Sequence, residues 1–97
     1  MKTLKEIKGL IEKKREQLEK NYHIKAIGVF GSYRRGKAKE QSDLDMLVDF
    51  SQTPDFFKFV ELERNLSRML GIKVDLVTRN ALKSSIKKDI LRETIFL

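Results

Sequence analysis

The sequence predicts an α/β protein, of α+β type: a small mixed β-sheet with helices packed on it, in the order α-β-turn-β-α-β-α. Three observations predict it. Short apolar runs at 23–30, 43–50 and 72–77 have the length and composition of strands. The segments 2–20, 54–70 and 80–94 repeat apolar residues at helical spacing between charged ones. A polar, basic stretch from Gly31 to Ser42 joins the first two strands. Residues 1–97 read as one domain.

The first helix is expected over 2–20, because Leu4, Ile7, Leu10, Ile11 and Leu18 recur at intervals of three, four and seven. Lys and Glu fill its remaining faces, and Asn21 is the expected stop. His23–Phe30 is strand one, ended by Gly31. His23, the one histidine, stands at a strand entrance and reads as surface or packing. In the turn, a short helix can begin at Ser32. Strand two, 43–50, has Leu44, Met46, Val48 and Phe50 on one face and Asp43, Asp45, Leu47 and Asp49 on the other. Thr53-Pro54-Asp55 reads as a helix start, with Thr53 as N-cap, Pro54 at the first helical position and Asp55 in the first turn. That helix runs to Leu70 and stops at Gly71. Its apolar set, Phe56, Phe59, Val60, Leu62, Leu66, Met69 and Leu70, is broad, and core packing accounts for most of it. Phe57 is read as core ahead of a partner interface.

Strand three, 72–77, alternates Ile72, Val74 and Leu76 with Lys73, Asp75 and Val77. The final helix, 80–94, has Asn80 as cap and Leu82, Ile86 and Ile90 as its stripe. Ile95-Phe96-Leu97 adds a short strand or packs on the core. No internal repeat or low-complexity segment interrupts this order.

Composition removes several functions. The apolar fraction of 40% and charged fraction of 36% suit a folded rather than a disordered chain. Without cysteine there is no disulfide, thiolate metal site or cysteine nucleophile. The N-terminus is amphipathic, unlike a signal peptide, and no apolar run approaches the ~20 residues of a membrane span. A cytoplasmic protein is expected. The net charge of +7 favours an anionic partner without choosing one, and lysine-rich helix faces also serve solubility. No basic-aromatic motif for stacking bases accompanies the charge, which argues against direct nucleic-acid binding.

Asp43 and Asp45 are two apart in a strand, so their carboxylates share a face. Adjacent like charges raise each other's pKa and destabilise the fold unless a cation lies between them. A hard divalent ion with oxygen ligands fits, and Mg²⁺ carrying substrate phosphates is the common case. Asp75 interrupts a β-branched run. It reads either as an edge-strand charge against aggregation or, beside the acids of strand two, as a third carboxylate of the same site. Gly31 allows close backbone approach, and Ser32 can donate its hydroxyl to a phosphate at a helix N-terminus.

Gly31-Ser32, ten intervening residues, then Asp43-x-Asp45, with Arg35-Gly36 between and Asp75 in Val74-Asp75-Leu76-Val77, resembles the minimal nucleotidyltransferases of the DNA polymerase β superfamily. The resemblance covers nearly the whole chain. It implies the nucleotidyltransferase fold, with Mg²⁺, two ions per site, and a nucleoside triphosphate on an exposed sheet face. Asp43, Asp45 and Asp75 are implied as catalytic metal ligands, and Gly31, Ser32 and Arg35 as the nucleotide-binding residues. In that setting Asp75 also orients or deprotonates an attacking hydroxyl. Arg34 departs from the pattern, since many members have a small residue there. It is read as solvated, and Arg35 as structural or phosphate-side.

Short members of this family commonly stand beside a helical HEPN-type ribonuclease toxin. The resemblance therefore implies transfer of AMP from ATP to a tyrosine of that partner, with the chain as antitoxin. The alternative is a non-catalytic module that neutralises its partner by covering it through the Phe56, Phe57 and Phe59 surface. A transferase acting on an antibiotic would need an acceptor-binding module that the sequence does not show. Self-association stays open.

Overall fold

A computed structural model describes residues 2–97. Helix α1 spans Leu4–Tyr22, strand β1 Ile24–Phe30, the single turn α2 Gly31–Arg34, β2 Leu44–Phe50, α3 Phe56–Leu70, β3 Val74–Thr78, α4 Ser84–Glu93 and β4 Ile95–Phe96. The strands lie in the order β3-β2-β1-β4. β1 is antiparallel to β2 and β4, whereas β2 and β3 are parallel and joined through α3, so the sheet is mixed. Among the described residues no helix is long and apolar enough to cross a membrane.

The core forms on one face of the sheet. Leu44, Met46 and Val48 of β2 and Val74 and Leu76 of β3 meet Ile7 and Ile11 of α1 and Leu62, Leu66 and Leu70 of α3. Strand alternation sends Asp45 and Asp49 to the opposite face, as the period of two requires. Leu47, although fully buried, stands on that acid side and apart from the main core cluster.

Local signals set the boundaries. Thr3 and Glu6 form a capping box at the start of α1. The helix continues past Asn21 to Tyr22 because His23, at φ 56°, supplies the left-handed C-terminal residue and donates its N–H to the Glu19 carbonyl. α3 is capped by Asp55, whose carboxylate accepts from the Lys58 N–H at 2.8 Å, so neither Thr53 nor Pro54 plays its expected part. The carboxylate is the stronger acceptor, and it reaches the N3 amide from a position two residues later.

The segment 80–94 is not one helix. Thr78 accepts from the Ala81 N–H at 3.2 Å and closes a 3₁₀ turn, Arg79–Ala81, and α4 begins only at Ser84. Asn80 is therefore no helix cap. No residue of α4 is buried, and Ile86 is 46% exposed. The last residues take the strand alternative, with Gly28 paired to Phe96, Val29 to Ile95, and Leu97 N–H donating to the Ile27 carbonyl at 2.9 Å.

Phe56 and Phe57, expected in the core, are 73% and 81% exposed and pack edge to face on each other. The buried stripe of α3 is Leu62, Leu66 and Leu70, with Phe59 against Phe50 at its margin. At helical spacing Phe57 projects from the opposite side of that stripe.

Strand β3 is an edge, and α3 covers its outer side with polar groups. Ser67 Oγ accepts from the Val74 N–H at 2.9 Å, and a Glu63 carboxylate oxygen accepts from the Leu76 N–H at 2.8 Å. These bonds satisfy partly buried donors for which the sheet offers no partner.

Candidate active site

The three acids singled out in the sequence stand at one end of the β2–β3 pair. Asp45 and Asp75 are direct register partners in the parallel ladder, so both side chains leave the same face, the one away from the core. Asp43 lies just ahead of β2. The turn before it is fixed by Ser42, whose hydroxyl accepts from the Lys39 N–H at 2.8 Å while its own N–H donates to the Lys39 carbonyl. Asp43 and Asp75 are exposed and Asp45 is half-buried.

Asp45 titrates above the ordinary carboxyl range. Burial is the main cause, followed by the negative charges of Asp75 and then Asp43, with Arg35 opposing them and Glu93 adding to them. The pair and its neighbour thus form a cluster of mutually repelling charges that a cation would relieve. Its donors are all carboxylate oxygens, the chemistry that Mg²⁺ or another hard ion takes. Among the described residues, no three acidic or imidazole groups are close enough to form a complete cage. Such an ion generally takes one or two carboxylates and fills its other positions with water and substrate phosphate, so the donor set fits.

Gly31 sets the roof of this cluster. Phe30 is the register partner of Asp45, and the chain turns immediately afterwards into α2. Gly31 has φ +75°, and a Cβ there would overlap Asp45 Oδ2 and lie 2.9 Å from its Cγ. Only glycine allows both that conformation and that approach. No side chain caps α2, whose first residue, Gly31, lies against Asp45 and whose second, Ser32, is half-buried.

Arg35 ends this turn, its N–H donating to the Gly31 carbonyl at 3.1 Å. Its guanidinium is paired with Glu93 at 2.6 Å. Arg34 is exposed but not merely solvated, because its Nε donates to the Glu93 carbonyl at 2.8 Å and so ties down the end of α4. Both contacts join residues nearly sixty positions apart, and no spacing rule in the sequence announces them. Glu93 is thus a charged neighbour of the site that sequence reading missed. Asp49 shares the acid face but is paired with Arg79 at 3.7 Å, farther along β2. His23, closing α1, is remote from this chemistry.

An open cleft of about 690 Å³ adjoins the cluster on the Asp43 side. Lys2, Tyr33, Glu40, Gly71 and Lys73 contribute to its walls. Asp43 lines it, but it reaches neither Asp45 nor Asp75, so those two acids stand on an open face beside the cleft. Lys73 lies 4.0 Å from Asp43 and is freely exposed, a contact of little consequence for stability.

Known proteins resemble this chain in sequence and in fold. The sequence profile of the nucleotidyltransferase domain matches residues 11–97. The protein adenylyltransferase MntA of Thermococcus cleftensis is 47% identical over 97 residues, covering 100% of this chain and 98% of that protein. A provisionally assigned minimal nucleotidyltransferase of known structure superposes with a TM-score of 0.77 at 32% identity, over 94% of this chain and 95% of the other. A toxin–antitoxin crystal structure with AMP-PNP superposes with a TM-score of 0.72 at 26% identity, covering 88% of this chain and 70% of the matched one.

Proposed function

The chain belongs to the nucleotidyltransferase domain family, and from that premise we propose that it transfers AMP from ATP to a hydroxyl of a partner protein, acting as the antitoxin of a HEPN-type toxin. The observation that carries the reading is the seating of Gly31 on Asp45, with Asp75 alongside in register. A phosphate-binding turn and a carboxylate cluster are thereby joined at one point. The relative from Thermococcus cleftensis, named as a protein adenylyltransferase, supports a protein acceptor. The toxin–antitoxin structure with AMP-PNP supports an adenine nucleotide and a toxin partner.

In this reading Gly31 and Ser32 hold the β- and γ-phosphates through backbone N–H groups and the Ser32 hydroxyl. Asp43, Asp45 and Asp75 would hold Mg²⁺, two ions per site. Bound there, Mg²⁺ supplies charge neutralisation on the triphosphate and the departing pyrophosphate. Asp75, the most open of the sheet carboxylates, orients the acceptor hydroxyl and takes its proton. The hydroxyl oxygen bonds to the α-phosphorus, the α–β phosphoanhydride bond breaks, and pyrophosphate leaves. Positioning and electrostatics provide the acceleration, so no covalent protein intermediate is needed.

The test is the intact mass of a co-purified toxin partner, incubated with and without ATP and Mg²⁺. A gain of one or more adenylate groups that requires both is expected. A tightly bound but unmodified partner would refute transfer. One observation favours a second reading, neutralisation by covering: the exposed Phe56–Phe57 pair is an apolar surface free for an interface. Co-expression of the toxin with Asp43→Asn separates the two, since loss of neutralisation follows from chemistry and retention from covering.

A further inference from the structure

Glu93 presents a puzzle in a site for polyanions. Three carboxylates already face the place assigned to a triphosphate, and a fourth would repel it further. The carboxylate is not free, however, because it accepts from Arg35 at 2.6 Å. We infer that Glu93 is a positioning residue for nucleotide binding: it fixes the Arg35 guanidinium at the phosphate side of Gly31 and Asp45. The inference rests on the nucleotide reading of the site.

Several independent features bring Glu93 there. The Arg34 Nε bond goes to the Glu93 backbone carbonyl, so it survives removal of the Glu93 side chain. Two residues later β4 pairs with β1, the strand that leads directly into Gly31. Gly28 permits this close packing, since a Cβ there would lie 2.5 Å from Thr94 Cγ2 and 2.9 Å from the Ile95 carbonyl oxygen. The position of Glu93 is therefore set by backbone, and its side chain is left to act on Arg35. The Arg35 side chain is 53% exposed, so without a partner its long stem would sample many rotamers. Guanidinium has five N–H donors, and a single carboxylate leaves several for phosphate oxygens. An arginine already held in place loses less freedom when a ligand arrives.

Titration calorimetry with a non-hydrolysable ATP analogue and Mg²⁺ tests this on the whole chain, without an acceptor. Glu93→Ala should weaken binding by about five- to tenfold, whereas Glu93→Gln, which keeps the acceptor, should stay within about twofold of wild type. In the Arg35→Ala background, the added Glu93→Ala change should bring no further loss of binding, because Glu93 favours the nucleotide only through Arg35. A purely structural role would instead weaken the double variant beyond Arg35→Ala. Wild-type or tighter binding by Glu93→Ala would make the carboxylate merely a repelling charge. Either result overturns the inference while leaving the nucleotide reading intact. Failure of the wild-type protein to bind the analogue would overturn both.

Discussion

The backbone of Gly31 lies directly on the carboxylate of Asp45, with no room between them for a methyl group. Gly31→Ala meets two obstacles: a left-handed φ of +75° and a collision with Oδ2 and Cγ of Asp45. The conformational part alone costs about 1–2 kcal/mol. The substitution should lower the melting temperature and abolish nucleotide transfer. A stable Gly31→Ala protein with full transfer would show that the turn and the carboxylate need not touch.

Asp45→Asn should reduce transfer at least about a hundredfold, the scale on which loss of a charge-stabilising group acts. Its effect on stability runs the other way. A carboxyl whose folded pKa is raised favours folding while protonated. That contribution is complete below the ordinary value of 3.8 and is lost as pH rises through the elevated one. At pH 7 without metal, ionised Asp45 is therefore a burden that asparagine removes. The variant should melt above wild type at pH 7 in EDTA, and the gap should close as the pH falls towards 3.8. A lower melting temperature for the variant at pH 7 would contradict the crowding of charge around Asp45.

Ser67→Ala removes the acceptor of the Val74 N–H on the edge of the sheet. A partly buried donor left without a partner costs about 1–3 kcal/mol. Denaturant unfolding should register that loss with an unchanged m-value, and hydrogen exchange at Val74 should accelerate. Exchange as slow as in wild type would mean that the hydroxyl contributes nothing to the edge.

Phe57→Ser should change stability by less than about 0.5 kcal/mol, because the ring is 81% exposed. Leu66→Ala, at a fully buried position of the same helix, should cost about 2–5 kcal/mol. Chemical denaturation of the two variants compares them directly. A strongly destabilised Phe57→Ser would place that ring in the core after all.

What was legible in the sequence was whatever depends on short periods. Alternation put Asp43 and Asp45 on one side of a strand and Leu44, Met46 and Val48 on the other; the fold keeps this division for Asp45, while Asp43 lies just ahead of the strand. Two acids in two strands suggested a shared site, but the registration of Asp75 against Asp45 comes only from the sheet order and the parallel pairing of β2 with β3. Breadth of an apolar helix face misled, because a helix can carry Phe57 opposite its buried stripe when the chain keeps a large ring exposed. The cap of α3 was misplaced by two residues, since Thr53, Pro54 and Asp55 are all good starting residues and only the Lys58 amide decides among them. The capping box of Thr3 and Glu6 has a recognisable spacing that the reading of the sequence passed over. The Arg35–Glu93 contact had none, being a product of chain return through β4.

The hydrogen bonds from Val74 and Leu76 to Ser67 and Glu63 also bear on how this protein meets other chains. A visiting β-segment that tried to dock alongside β3 would find these backbone donors already engaged. Growth of the ribbon beyond Asp75 is thereby discouraged, and the flank of that carboxylate stays open to an incoming side chain rather than to a foreign backbone.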